Sequence, residues 1–159
     1  MLPLLHAERL LRGAVARAAL GDLSAALGFE PPQHLDRSTR ALLQLPPQVS
    51  HASVARGRGA LRALLIELGD GEPTLELSAR IARQIAHQSP EQLWFVATLN
   101  ASAPRLVLAA PPPEDGSVVP ALDVDPRSPR ASDIETFAAL ALARHELDLL
   151  AHLDRKSVV

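Results

Sequence analysis

Three carboxylates at the ends of apolar runs are the first residues in this chain that could carry chemistry. Glu67 closes the run ALRALLIEL, and Asp123 and Asp125 close VVPALDVD. Metal-dependent nucleases of the restriction-enzyme class set an acid on one strand and a Glu-x-Lys on the next. Their carboxylates hold Mg²⁺ and the lysine helps position the attacking water. Here Glu67-Leu68-Gly69 stands where Glu-x-Lys is needed, and the single lysine of the chain is Lys156. A nuclease built on Glu67, Asp123 and Asp125 is therefore divergent or decayed.

Two other constellations are worth weighing. His145, Asp148 and His152 recur at i, i+3 and i+7, so a helix puts them on one face as a metal half-site. They do not make the zinc protease signature, because position 149 is Leu. As metal ligands they compete with the plainer reading of a solvated helix surface. Arg56-Gly57-Arg58-Gly59 is too short for a phosphate loop and reads as a turn between two strands. Its arginines, with Arg62, are the candidates for contacting a nucleic-acid phosphate backbone.

Much chemistry is excluded outright. The chain has no cysteine, so disulfides, thiolate metal sites and cysteine nucleophiles are absent. No Gly-x-Ser-x-Gly occurs. The proline runs Glu30-Pro31-Pro32 and Ala110-Pro111-Pro112-Pro113 lack the Asn or Asp and the aromatic residue of an adenine methyltransferase motif. No catalytic residue and no cofactor is assigned to this chain.

The elements that must position these residues follow from periodicity. Leu4, Leu5, Leu11, Ala14, Val15 and Ala18 predict a helix over 2–20, and Asp22 to Leu27 a second short one. Residues 36–45 form a helical turn before Pro46-Pro47. Val49, His51, Ser53 and Ala55 alternate as an edge strand does, and 60–68 reads as a buried strand. Thr74 caps a helix over 74–88 with the stripe Leu77, Ile81, Ile85. LWFVATLN (93–100) and RLVLAAP (105–111) read as consecutive strands and as the centre of the core. VVPALDVD (118–125) is a further strand, marked as an edge by Pro120. Ser132 and Glu135 have capping-box spacing for a last helix reaching about Leu153.

The expected fold is α+β: a mostly antiparallel mixed sheet of about five strands with flanking helices. It divides into an N-terminal helical segment (1–47), a strand-rich core (48–131) and a C-terminal helix (132–159), all one globular domain. The last residues, Asp154 to Val159, carry no stop signal, and the chain is expected to continue. No run approaches the roughly 20 apolar residues that span a bilayer, and the start lacks a signal peptide's unbroken apolar stretch. A cytoplasmic protein is expected. Net charge is −2, unevenly spread: residues 1–62 hold eight Arg against four acids, residues 63–154 six Arg against fourteen. Such asymmetry can mark a nucleic-acid-facing end.

GALRALLIELGDG, SPEQLWFVATLN, PRLVLAAPPP, VPALDVDPRSPRASDIETFAALA and LAHLDRKSVV occur in that order. Together, across roughly 55–159, they resemble the N-terminal domain of large bacterial class I DNA methyltransferases of restriction–modification and phage-defence systems, the single-chain type IIG-like kind. The resemblance rests on apolar strand patterns and on Asp133-x-Glu135-Thr136 opening a helix. It implies a non-catalytic accessory domain that contacts DNA or the rest of its own chain, with S-adenosylmethionine belonging to a parent protein. It transfers no catalytic residue. The rival readings are a stand-alone protein–protein interaction or dimerisation module and the divergent nuclease.

Overall fold

The structure is a computed structural model. It describes residues 28–69, 71–100, 105–113, 118–124, 133–134 and 136–144. The predicted helices over 2–27, the Ser132–Glu135 cap, and the stretch from 145 on lie outside the described residues.

Six strands form one sheet in the order β1-β2-β3-β4-β5-β6: β1 (Gln33–His34), β2 (Val49–Arg56), β3 (Leu61–Leu68), β4 (Leu93–Asn100), β5 (Arg105–Ala109) and β6 (Ala121–Val124). Helix α1 (Arg37–Leu43) lies between β1 and β2, and α2 (Leu75–Gln88) between β3 and β4. Every neighbouring pair is antiparallel except β3 and β4, which run parallel. The α+β class and the mostly antiparallel mixed sheet are as the sequence implies.

Differences from expectation have physical causes. β1 is an added strand of two exposed residues, held by pairing Gln33 with Val54 and His34 with Ser53. β2 is therefore not an edge. A register shift between Val49 and His51 puts Val49 and Ala52 into the cluster under α2, while Ala55 is buried on the other face beside Ala63. The centre of the sheet is the parallel pair β3–β4 rather than the β4–β5 hairpin. β6 does end the sheet, and the amide of Ala110 donates to the carbonyl of Pro120 beside it.

α2 forms because its sequence closes both ends and puts one apolar stripe inward. Thr74 accepts from the Leu77 amide at 3.0 Å, and the Ser89 amide donates to the Ile85 carbonyl at 2.8 Å. Ile81, Ala82 and Ile85 pack against Leu64, Ile66, Trp94 and Val96, with Leu43 of α1 in the same cluster. Ile134, Phe137, Ala138, Ala141 and Leu142 of the helical stretch 133–134 and 136–144 cover Leu61, Ala63, Phe95, Ala97, Leu106 and Leu108 on the opposite face. Buried on both sides, β4 is apolar almost throughout, as such strands are.

One polar contact is sealed between helix and sheet. Ser78 of α2 and Thr98 of β4 are both fully buried, and the Ser78 hydroxyl donates to Thr98 Oγ1 at 3.0 Å. Deleting one partner strands the other, which costs about 1–3 kcal/mol. Ser78→Ala and Thr98→Val should each lower stability by that order, and the double variant by less than the sum. Urea unfolding followed through Trp94, the single tryptophan, reads the cycle; strict additivity would show that the two hydroxyls do not interact.

Candidate nucleic-acid interface

The β2–β3 hairpin gathers Arg56, Arg58 and Arg62. Arg56 ends β2 and stands directly opposite Arg62 near the start of β3. Both belong to the α2 side of the sheet, since Arg62 also pairs with Trp94, whose face α2 covers. Arg58 sits in the turn between them and is exposed. Like charges directly opposite one another destabilise a sheet, so this end of the sheet gains from any anion that approaches.

Two glycines shape the turn. Gly59 has φ +58°, a left-handed conformation that a β-carbon resists. At Gly57 a β-carbon would stand 2.8 Å from Phe29 Cε1 and 3.0 Å from Leu61 Cδ2. The ring of Phe29 thus presses on the hairpin, and the Glu30 amide donates to the Arg56 carbonyl at 2.7 Å. The Gly57 amide donates to Leu61 O at 2.9 Å and the Leu61 amide to Arg58 O at 3.0 Å, closing the turn.

The three arginines play different parts. Arg62 folds back on its own hairpin: Nη1 donates to Gly59 O at 2.9 Å and to Leu61 O at 2.6 Å. Arg62 therefore positions the turn, and Arg56 and Arg58 remain outward. Among the described residues Arg37, Arg56, Arg58, Arg80 and Arg83 make no ion pair. Trp94 beside Arg62 is 6% exposed, and its Nε1 finds no hydrogen-bond acceptor.

Glu67 and Asp123 do not come together. Glu67 lies opposite His51 and Leu99 on the face away from α2, while Asp123 lies opposite Val107, which pairs with Thr98 on the α2 face. Three strand spacings separate them, about 14 Å, and the sheet lies between. They cannot share a metal ion as they stand. Asp123 is also engaged by Arg105, with Nε to Oδ2 at 3.1 Å and Nη2 to Oδ2 at 2.5 Å. Glu72 stands 3.6 Å from the same guanidinium. The hydrogen bond that Arg105 donates to Asp123 raises the affinity of Arg105 for its proton above the ordinary arginine value. Asp125, His145, Asp148 and His152 lie outside the described residues. Among the described residues no group of three His, Asp or Glu could hold a metal ion.

The chain matches no protein-family model, no curated protein and no solved structure. No helix among the described residues is long and apolar enough to cross a membrane. The site is thus read from its own geometry.

Sequence reasoning missed the polar cluster where the parallel strands end. Asn100 is 4% exposed and its Nδ2 donates to the Gly71 carbonyl, while Arg105 bridges Asp123 and Glu72. These bonds fasten the loop leading into α2, and every one is internal to the fold. His34 and His51 also meet, with ring centroids 4.4 Å apart and planes tilted by 50°. Their approach follows from the β1 pairing, which a two-residue strand does not announce.

The division of labour among the arginines has a measurable consequence. Arg62→Ala removes two charge-assisted bonds to turn carbonyls and should cost about 1–2 kcal/mol. Arg58→Ala touches nothing in the fold and should stay within about 0.5 kcal/mol of the parent. Denaturant midpoints compare the two directly; equal midpoints would remove Arg62 from its positioning role.

Proposed function

We propose that this is a non-catalytic accessory domain of a cytoplasmic DNA-modifying or phage-defence protein, contacting the phosphate backbone of DNA through the β2–β3 hairpin. The observation that carries it is the outward pair Arg56 and Arg58, free of ion pairs, on a turn that Arg62 holds in shape. Guanidinium groups suit phosphate oxygens because they present several fixed donors and stay charged. The link to a class I, type IIG-like methyltransferase parent rests on the resemblance of residues 55–159. In that parent, S-adenosylmethionine chemistry belongs to another part of the chain. The separation of Glu67 from Asp123 supports the non-catalytic reading over the nuclease one.

Contacts of this kind position a protein without reading sequence. Binding should be weak, with a dissociation constant of roughly 10⁻⁴–10⁻⁶ M at physiological salt. Each phosphate neutralised contributes about −0.9 to the slope of log affinity against log salt. Fluorescence anisotropy of a labelled duplex, titrated with the 159-residue chain at several salt concentrations, tests this. Arg56→Ala and Arg58→Ala should each weaken binding, reduce the slope by about 0.9 and act alike on unrelated sequences. An absence of binding at low salt, with self-association in sedimentation, would establish the interaction-module reading instead.

A further inference from the structure

We infer that the outer side of α2 is a second phosphate-contacting element, continuing the hairpin's basic surface into a track for double-stranded nucleic acid. The inference rests on the hairpin reading and extends it to residues on another element. α2 buries Ser78, Ile81, Ala82 and Ile85. At 100° per residue the opposite side carries Glu76, Arg80, Arg83 and His87, all exposed. Arg80, Arg83 and His87 follow at i, i+3 and i+7, so they form one stripe.

The stripe has no internal use. Glu76 stands four residues before Arg80, a spacing and order that favour an ion pair on a helix, yet neither Arg80 nor Arg83 makes one. Neither side chain donates a hydrogen bond within the fold. By contrast Arg40 is committed to the Val49 carbonyl at 2.6 Å, and Arg105 to Asp123. The fold thus leaves two further guanidinium groups outward on α2, which packs over β4, β5 and β6 beside the hairpin strands.

Topology brings the C-terminal end of the stripe to the hairpin end of the sheet. β3 and β4 are parallel, so α2 returns along the sheet and ends where β4 begins. That is the hairpin end, because the Leu93 amide donates to the Ala60 carbonyl at 2.8 Å. Arg56 and Arg62 rise on the same side of the sheet as α2. Moving away from the hairpin end, the stripe runs His87, Arg83, Arg80. Arg80 to His87 spans about 10 Å of helix, a length over which one strand of a duplex presents roughly three phosphates. Charge complementarity therefore selects a polyanion of regular spacing, a nucleic-acid duplex, as occupant.

The test is the same anisotropy titration with the full chain, comparing the parent, Arg80→Ala/Arg83→Ala and Arg56→Ala/Arg58→Ala. Thermal unfolding confirms that the variants are folded; all four positions are exposed. The α2 variant should lower the salt slope by about 1.8, so that raising salt from 50 to 200 mM costs it about 12-fold less affinity than it costs the parent. If the α2 variant keeps the parent slope while the hairpin variant loses its share, the track is overturned and the hairpin reading stands. If the parent binds no duplex at low salt, both fall. If polyglutamate competes as well as an equal charge of unlabelled duplex, the acidic face of a protein replaces nucleic acid as the occupant.

Discussion

The parallel pairing of β3 and β4 governs the rest of the domain. Parallel neighbours cannot be joined by a tight turn and need a crossover of a dozen or more residues. Residues 69–92 supply it, with α2 as its middle. Because Leu64, Ile66 and Val96 face α2 while Ala63, Phe95 and Ala97 face the other way, both sides of the pair must be covered. α2 covers one and the helical stretch 136–144 the other. The same crossover brings α2 back to the end of the sheet that carries the β2–β3 hairpin, so the placement of the basic residues is a by-product of how the core is closed.

Much of this was legible in the residues, and what was not has identifiable reasons. Thr74 with Leu77, Ile81 and Ile85 marked α2, since an N-cap and a stripe at helical spacing agree. The apolar run 93–100 marked β4, because only a strand covered on both faces tolerates so few polar residues. The parallel sense of β3 and β4 also stood in the sequence, in the helix between them, but the short link after β4 drew attention to the wrong pair. β1 was not legible: Gln33 and His34 are exposed and polar, and only the partner strand makes them a strand. The weak alternation of β2 was misleading, because the register shift near Val49 breaks it and the strand buries Ala52 on one face and Ala55 on the other.

The site divides in the same way. Three arginines within seven positions around two glycines announce a basic turn, whatever the fold. Their unequal roles appear only when Arg62 is seen bonded to Gly59 and Leu61 carbonyls. Glu67 and Asp123 looked alike in sequence because both sit near the ends of apolar runs. Which face each occupies depends on the registers of the strands between them, and a change of one residue in any register exchanges the faces. Arg80 and Arg83 were passed over in the sequence, where only the apolar stripe of α2 drew notice, and acquire meaning only once the crossover carries the helix toward the hairpin end of the sheet.

A net charge of −2 is compatible with a phosphate-contacting edge, because what a duplex meets is the local field and not the sum. Outward arginines without partners add little to folding stability, since even paired surface charges contribute only about 0–1 kcal/mol. On the proposed reading, a weak grip on a polyanion is no obstacle, because the domain would work inside a longer protein. Tethering by a short flexible linker presents a module to its ligand at an effective concentration in the millimolar range. Against a non-specific dissociation constant of roughly 10⁻⁴–10⁻⁶ M, that concentration keeps the module engaged while it exchanges rapidly. On the proposed reading, sequence choice and chemistry are left to the parent protein, and a sheet with a shaped hairpin is sufficient for the part that remains.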